Sequence, residues 1–170
     1  MQIAANIIDF FAALIQIGTG AVKKKSRILI LQIVQLLMQG VAMLLLGGVT
    51  GAVSNVLSCV RNYICYKEKL NLPWKLFFII ASIVMTVLLN DQGILGMIPA
   101  AVCIVYIIFM DVKDPIRFKL LVMITFIPWL FYHFILGSYT GAASDAATIV
   151  ANIVTIIRMR KERKEPVNDR

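Results

Sequence analysis

A chain of 170 residues that is 60% hydrophobic and only 15% charged has more apolar surface than a soluble domain of this size can bury. With a mean hydropathy of +0.86, that balance excludes a water-soluble enzyme domain, a disordered chain and a coiled coil, and makes lipid the solvent for most of the sequence. The net charge of +8 does not indicate nucleic acid, because the basic residues stand between and after apolar runs, as membrane orientation requires.

A membrane-crossing helix needs about 20 apolar residues, and seven candidate runs follow one another. The chain starts MQIAANIIDFFAALIQIGTG. It has no early Lys or Arg and carries Asp9, so it reads as a retained first helix over residues 6–22 rather than a cleavable signal. The next spans are expected at residues 28–46, 49–66, 74–89, 94–110, 119–136 and 140–157. Seven spans use nearly the whole chain, so the loops must be short and no soluble domain fits. Cys59, Cys65 and Cys103 all lie inside apolar runs, without metal-ligand spacing or a disulfide framework, and read as small core hydrophobes.

Charge tests the count. Lys23, Lys24, Lys25 and Arg27 fall after the first span, Lys67, Lys69 and Lys75 after the third, and Lys113, Arg117 and Lys119 after the fifth. Six more follow the seventh, so sixteen of the seventeen Lys and Arg lie on one side. The intervening loops, Gly47-Gly48, Asn90 to Gly93 and Gly137 to Tyr139, hold none. The positive-inside rule then predicts an outside N-terminus and a cytoplasmic C-terminus.

Sliding the chain by 90 positions aligns it with itself: Leu46-Gly47 on Leu136-Gly137, Thr50-Gly51-Ala52 on Thr140-Gly141-Ala142, Ser54 on Ser144, Asn62 on Asn152. Helices one to three map onto five to seven, and the fourth is left over. Three helices reverse the side of the membrane and the fourth reverses it again, so the two triplets share one orientation. The expected fold is an all-α membrane protein of seven transmembrane helices, two parallel three-helix bundles joined by a linker helix. The expected boundaries are 1–69 for the first bundle, 70–93 for the linker, 94–158 for the second bundle and 159–170 for a basic cytoplasmic tail.

The third span holds Asn55, Ser58 and Asn62 at i, i+3 and i+7, and the seventh holds Asp145, Thr148 and Asn152 at the same spacing, 90 residues on. Each set shares one helix face, and polar groups facing lipid are costly, so both stripes should turn inward. They either line a cavity for a polar solute or bond helix to helix. For Asn55 and Asp145 the solute reading is favoured, since an intramembrane carboxylate commonly marks a pathway or proton site.

Other residues stand out. Asp9 either pairs with a cation or sits near the interface, and Arg61 either meets an acidic group or anionic solute or snorkels to the inner headgroups, snorkelling being the preferred reading. Trp129 could stack on a ring, His133 reads as a headgroup-level residue, and Trp74 as an interface anchor. Gln32, Gln35 and Gln39 share roughly one face and either pack on the stripes or join the cavity. Pro99 and Pro128, inside spans five and six, are candidate hinges. The first repeat has no proline, and Asp9 stands where Pro99 would predict one.

The lines GGVTGAVSNVLSCVRNY and LGSYTGAASDAATIVANIV resemble those of the YgjV family of small bacterial inner-membrane proteins. The 3+1+3 plan with Asn55 and Asp145 in matching helices is similar to the SWEET and PQ-loop superfamily, whose SWEET members move sugars through a central cavity with an Asn on helices three and seven. The resemblance implies a bacterial inner-membrane transporter using Asn55 and Asp145; the stripes and the other polar residues of the spans add Ser58, Thr148, Asn62, Asn152 and Trp129 as candidates around the solute, and Asp145, Asp9 and Arg61 as candidate charge or proton sites. Two departures matter. Asp at the second position suggests a cationic solute or proton coupling, and the four-proline hinge set is reduced to Pro99 and Pro128, with no Pro-Gln dipeptide.

The expected function is therefore small-solute transport by alternating access. The competing reading is a non-transporting receptor of the same fold, or a membrane protein whose basic tail binds a cytoplasmic protein or anionic lipid. No nucleophile–base pair, metal cluster or Gly-rich phosphate loop appears, so neither catalysis nor a metal or cofactor is expected. The expected partners are the bilayer and a small polar solute, with homo-oligomerisation left open.

Overall fold

A computed structural model of the chain describes residues 2–45, 49–89, 93–135 and 139–164. The three loops that lack Lys and Arg fall largely outside these residues, as does the end of the tail beyond 164, and Pro99 and His133 are described by backbone alone. Within them the chain forms seven α-helices and no strand: α1 (Gln2–Ala21), α2 (Lys25–Leu45), α3 (Val49–Tyr66), α4 (Leu72–Leu89), α5 (Ile98–Phe109), α6 (Pro115–Ile135) and α7 (Tyr139–Lys164), with a 3-10 turn at Leu95–Met97 leading into α5.

Among the described residues four helices are long and apolar enough to cross a membrane: Gln2–Ala21, Lys25–Leu45, Pro115–Tyr132 and Gly141–Arg163. The apolar part of α4, Leu72–Leu88, falls just short, and α3 carries the polar stripe. At 12 residues, α5 reaches only about 18 Å of helix, so the expected fifth span begins with the 3-10 turn. By contrast α7, at 26 residues, extends to about 39 Å, longer than the roughly 30 Å hydrocarbon layer. The expected tail from residue 159 is thus, as far as 164, the last turns of α7.

The outward faces are apolar. Ile3, Ile7, Phe10 and Leu14 line the outside of α1, Val34, Leu37, Val41 and Leu44 that of α2, and Val53, Val56 and Val60 that of α3. The inside holds Gln16, Thr19, Gln32, Gln35, Arg61, Asn62, Lys119, Asp145, Thr148 and Asn152 alongside a cluster of apolar side chains around Phe78, Ile107, Met110 and Phe118. This inversion is what a lipid solvent selects, since lipid matches Leu as well as a protein core does but offers polar atoms nothing.

The helix limits repeat at the 90-residue offset: α2 and α6 begin at 25 and 115 and end at 45 and 135, and α3 and α7 begin at 49 and 139. The turns match as well. Val22 N donates to Thr19 O as Val112 N does to Phe109 O, and Ile28 N to Lys24 O as Phe118 N does to Asp114 O. Backbones approach closely in the order α1–α2–α3 and α5–α6–α7, with α4 against α5 and a further seam between α1 and α7. At that seam a Cβ on Gly20 would stand 2.6 Å from Ala151 Cβ and 3.0 Å from Thr148 O, so the backbones meet where only a glycine fits.

The basic segments gather at one end. Lys23 of the α1–α2 connection pairs with Glu162 of α7, Lys75 of α4 with Asp111 at 2.8 Å, and Lys25 Nζ donates to Val112 O at 2.8 Å. Asp114 caps α6, its Oδ1 accepting from Ile116 N at 2.8 Å with Pro115 in the first helical position. Arg163 of α7 donates to both Asp114 oxygens, at 3.0 and 3.3 Å. Pro99 is a correction to the expected pair of hinges: it occupies the first turn of α5, where its missing N–H breaks no bond and it starts the helix instead of kinking it. Pro128 does lie inside α6.

Two predictions follow from this packing. Gly20→Ala overpacks the α1–α7 seam and should lower stability by about 1–3 kcal/mol, whereas Gly18→Ala, with nothing within 4 Å of its Cβ, should leave thermal unfolding in detergent nearly unchanged. The Arg163 guanidinium, and then the capping amide of Ile116, hold the Asp114 carboxyl below its ordinary value of 3.8. A lowered folded pKa contributes stability that is complete above 3.8 and is lost as pH falls through the folded value. Amide exchange at the end of α7 should accelerate on acidification below that value, and Arg163→Gln should remove the step.

Candidate functional site

Two polar clusters occupy the interior, and they reach α2 at adjacent turns, through Gln35 and Gln32. The first is centred on α7, whose inner face presents Ser144, Asp145, Thr148, Asn152 and Thr155 at helical spacing. Asp145 is 2% exposed. Gln16 of α1 donates from Nε2 to Asp145 Oδ1 at 2.8 Å and to Ser144 Oγ at 3.3 Å. Its own Oε1 accepts from Gln35 Nε2 at 3.1 Å, and Gln35 also donates to Gln39 Oε1 at 3.2 Å. One carboxylate thus heads a relay of amides running α7–α1–α2. Thr148 and Asn152 bond back to their own helix, at Ser144 O and Thr148 O.

Two turns toward the basic end, Lys119 of α6 is wholly buried. Its Nζ donates to Gly20 O at 2.7 Å, Asn152 Oδ1 at 3.0 Å and Thr19 O at 3.4 Å. An ammonium has three donors, and here they meet three acceptors, two of them carbonyls at the C-terminal end of α1, where the helix dipole favours a cation.

The second cluster joins α2, α3 and α5. Gln32 Oε1 accepts from Tyr106 OH at 3.0 Å and from Asn62 Nδ2 at 3.2 Å. Asn62 Oδ1 accepts from Arg61 Nε and Nη2 at 3.3 and 3.2 Å. Arg61 Nη1 lies 3.1 Å from Cys103 Sγ, and the guanidinium carbon is 5.0 Å from the centre of the Tyr106 ring. Ser82 of α4 meets the same thiol at 3.4 Å.

These positions revise several expectations. Arg61 does not snorkel: it is 8% exposed and folded inward onto Asn62 and the Tyr106 ring, because a neutral amide oxygen and an aromatic face hold it inside. Asn55 and Asp145 are not brought to one point. Asn55 is half-buried and approaches Met43 Sδ of α2 at 3.8 Å, beside Gly40, while Asp145 bonds across to α1. Ser58 is half-buried. Trp129, half-buried, stands edge-on to Tyr132 of its own helix, with ring centres 5.5 Å apart. Asp9 lies on the exposed side of α1. Of the glutamine series of α2, Gln32 bonds Asn62 of the α3 stripe, whereas Gln35 reaches Asp145 only through Gln16 and bonds Gln39 on its own helix.

Gln16, Tyr106 and Lys119 are central to these clusters and were not singled out from sequence. A signal for the first two existed, since they are related by the same 90-residue offset and each stands in an apolar span. Lys119, read as a loop lysine beside the end of a span, gave no such sign.

With Gln16→Leu, Asp145 loses its 2.8 Å donor, which should lower stability by about 1–3 kcal/mol. Adding Asp145→Asn, which removes the buried carboxylate, should recover part of the loss. Thermal unfolding of the two variants and the double variant checks this.

Against known proteins, residues 3–163 match the family model Imp-YgjV, described as a bacterial inner membrane protein. No curated protein and no solved structure matches the chain.

Proposed function

The chain belongs to the Imp-YgjV family of bacterial inner membrane proteins, and from that premise we propose that it is a small-solute transporter working by alternating access, with Asp145 as its proton-linked group. The observation that carries this reading is the Asp145 carboxylate, 2% exposed and bonded to Gln16 across the seam between α1 and α7. Asp145 stands in the first third of α7, and a carboxylate inside a membrane helix is costly, up to about 2.5–3.5 kcal/mol at the helix centre on insertion scales. Packing alone does not need it, since an Asn could bond Gln16 without the charge. The seam joins helices that the 90-residue offset assigns to different repeats, and in repeat-built transporters solute and coupling ion bind between repeats.

In this reading the chain crosses the membrane seven times as a 3+1+3 arrangement, with α4 as the linker. The end that gathers Lys23, Lys75, Lys113 and Arg163 faces the cytoplasm. The Glu162 and Asp114 pairs, the Lys119 clip and the tight Gly20 contact hold that end closed, and Pro128 gives α6 a place to bend. Asn55 joins the solute site only when α3 and α7 move toward each other.

The test is uptake by purified protein in liposomes, with an internal pH-sensitive dye, against sugars, nucleosides, amino acids and small organic acids. At least one class should accumulate and carry protons, and Asp145→Asn should remove the proton signal while reducing uptake at least tenfold. If no class moves, and Asp145→Asn with Asn55→Ala leaves cells unchanged, the reading fails. Function that survives without uptake but is lost on deleting residues after Arg158 would favour a partner-binding protein.

A further inference from the structure

The buried polar interior is richer in positive than in negative charge: among the described residues Arg61 and Lys119 are buried cations, and Asp145 is the buried carboxylate. The two cations are held in a related way. Asn62 and Asn152 stand at matching positions of the two repeats, and the Oδ1 of each accepts from one of them, that of Asn62 from Arg61 and that of Asn152 from Lys119. Beyond that the surroundings diverge. Lys119 is saturated by two backbone carbonyls as well as the amide, which makes it a structural clip. Arg61 has five N–H donors, two of which converge on the single Asn62 oxygen while a third faces the thiol of Cys103. The remaining contact is the face of Tyr106. All of these partners are neutral, and none has the two-oxygen form that a guanidinium fork fits best. A buried cation is ordinarily paired with an anion.

We propose that Arg61 is an anion-binding site, and that the solute handled by this protein is a small anion carrying a carboxylate or phosphate group. The substrate part rests on the transport reading above; the site does not. The anion takes the place now filled by the Asn62 oxygen and the Cys103 thiol and accepts a forked pair of bonds from Arg61. Tyr106 OH and Asn62 Nδ2, which now share Gln32 Oε1, supply further donors. Gln32 at this site and Gln35 in the Gln16–Asp145 relay stand on adjacent turns of α2, so an anion at Arg61 and a proton at Asp145 act on neighbouring turns of one helix.

The experiment measures equilibrium binding of succinate and of inorganic phosphate to the full chain in detergent, with glucose as neutral and putrescine as cationic control. At least one anion should bind saturably and the controls should not. Arg61→Gln should weaken binding at least tenfold, and Arg61→Lys, which keeps the charge but loses the fork, should fall between. Because Arg61→Gln could impair folding, a second measurement keeps Arg61 in place: in protein carrying Cys59→Ala and Cys65→Ala, the bound anion should slow alkylation of Cys103 at least fivefold. Binding of neither anion, affinity within twofold in Arg61→Gln, or an unchanged Cys103 rate overturns the site. In liposomes, anion binding without uptake supports the site and removes the transport reading. Glucose or putrescine uptake that survives Arg61→Gln keeps transport and overturns the anion.

Discussion

The hydrocarbon interior cannot hydrogen-bond, and that single constraint orders this protein. Backbone polar groups are satisfied within helices, and each polar side chain in the spans must find a partner on another helix or on its own. The result is the inverted distribution seen here, with Ile, Leu, Val and Phe outward and Gln, Asn, Thr and charged groups inward. Among the described residues no buried side-chain nitrogen or oxygen lacks a hydrogen-bond partner. Interhelical bonds of this kind contribute only about 0.6 kcal/mol each on average, so the network is weak as adhesive. Its force is negative: an amide or carboxylate that lost its partner would be stranded in oil, and the helices are kept in register by the arrangements that avoid this.

Close approach supplies the rest. Where α1 meets α7, Gly20 lies against Ala151, Thr148 and Asn152 with no room for a methyl group. That proximity lets Lys119 reach past the end of α1 to its last carbonyls and lets Gln16 reach Asp145. Packing and polar satisfaction are therefore one problem at this seam: the small residue sets the distance, and the distance determines which polar atoms can meet. The same seam holds the buried Asp145 carboxylate and, at its basic end, the Lys23–Glu162 pair, while the Arg163–Asp114 pair ties α7 to the start of α6. These pairs are exposed and individually weak.

The two halves share a plan and differ in chemistry. Helix limits and turn hydrogen bonds repeat at a 90-residue offset, yet Asp145 faces Asn55, Tyr106 faces Gln16, and Lys119 faces Leu29 in the comparison of repeats. Each half thus acquires its own buried cation and its own set of acceptors. An amide relay with a carboxylate reaches α2 at Gln35, and a guanidinium over a phenol ring reaches it one turn away, at Gln32. Such divergence gives the two halves of a common frame different buried polar clusters.

Hydropathy alone placed seven helices to within four residues at every end but the last, where the charged end of α7 runs seven residues further, because lipid demands long apolar runs and turns concentrate charge. The offset of 90 was readable because both copies keep the same loop chemistry, and the inward turn of Asn62, Thr148, Asn152 and Asp145 was readable because polar groups cannot face acyl chains. Pairings were not. Sequence gave Arg61 a choice between the headgroups and the interior, and only the approach of α5, bringing the Tyr106 ring and Cys103 against it, decided for the interior. Likewise Lys119 reads as one more loop lysine until α6 is laid against the end of α1. Asn55 and Asp145 look like partners along the chain, but their helices do not share a close face. Periodicity fixes which side of a helix is polar, whereas the choice of partner depends on which helices touch and how near, a property of the assembled bundle.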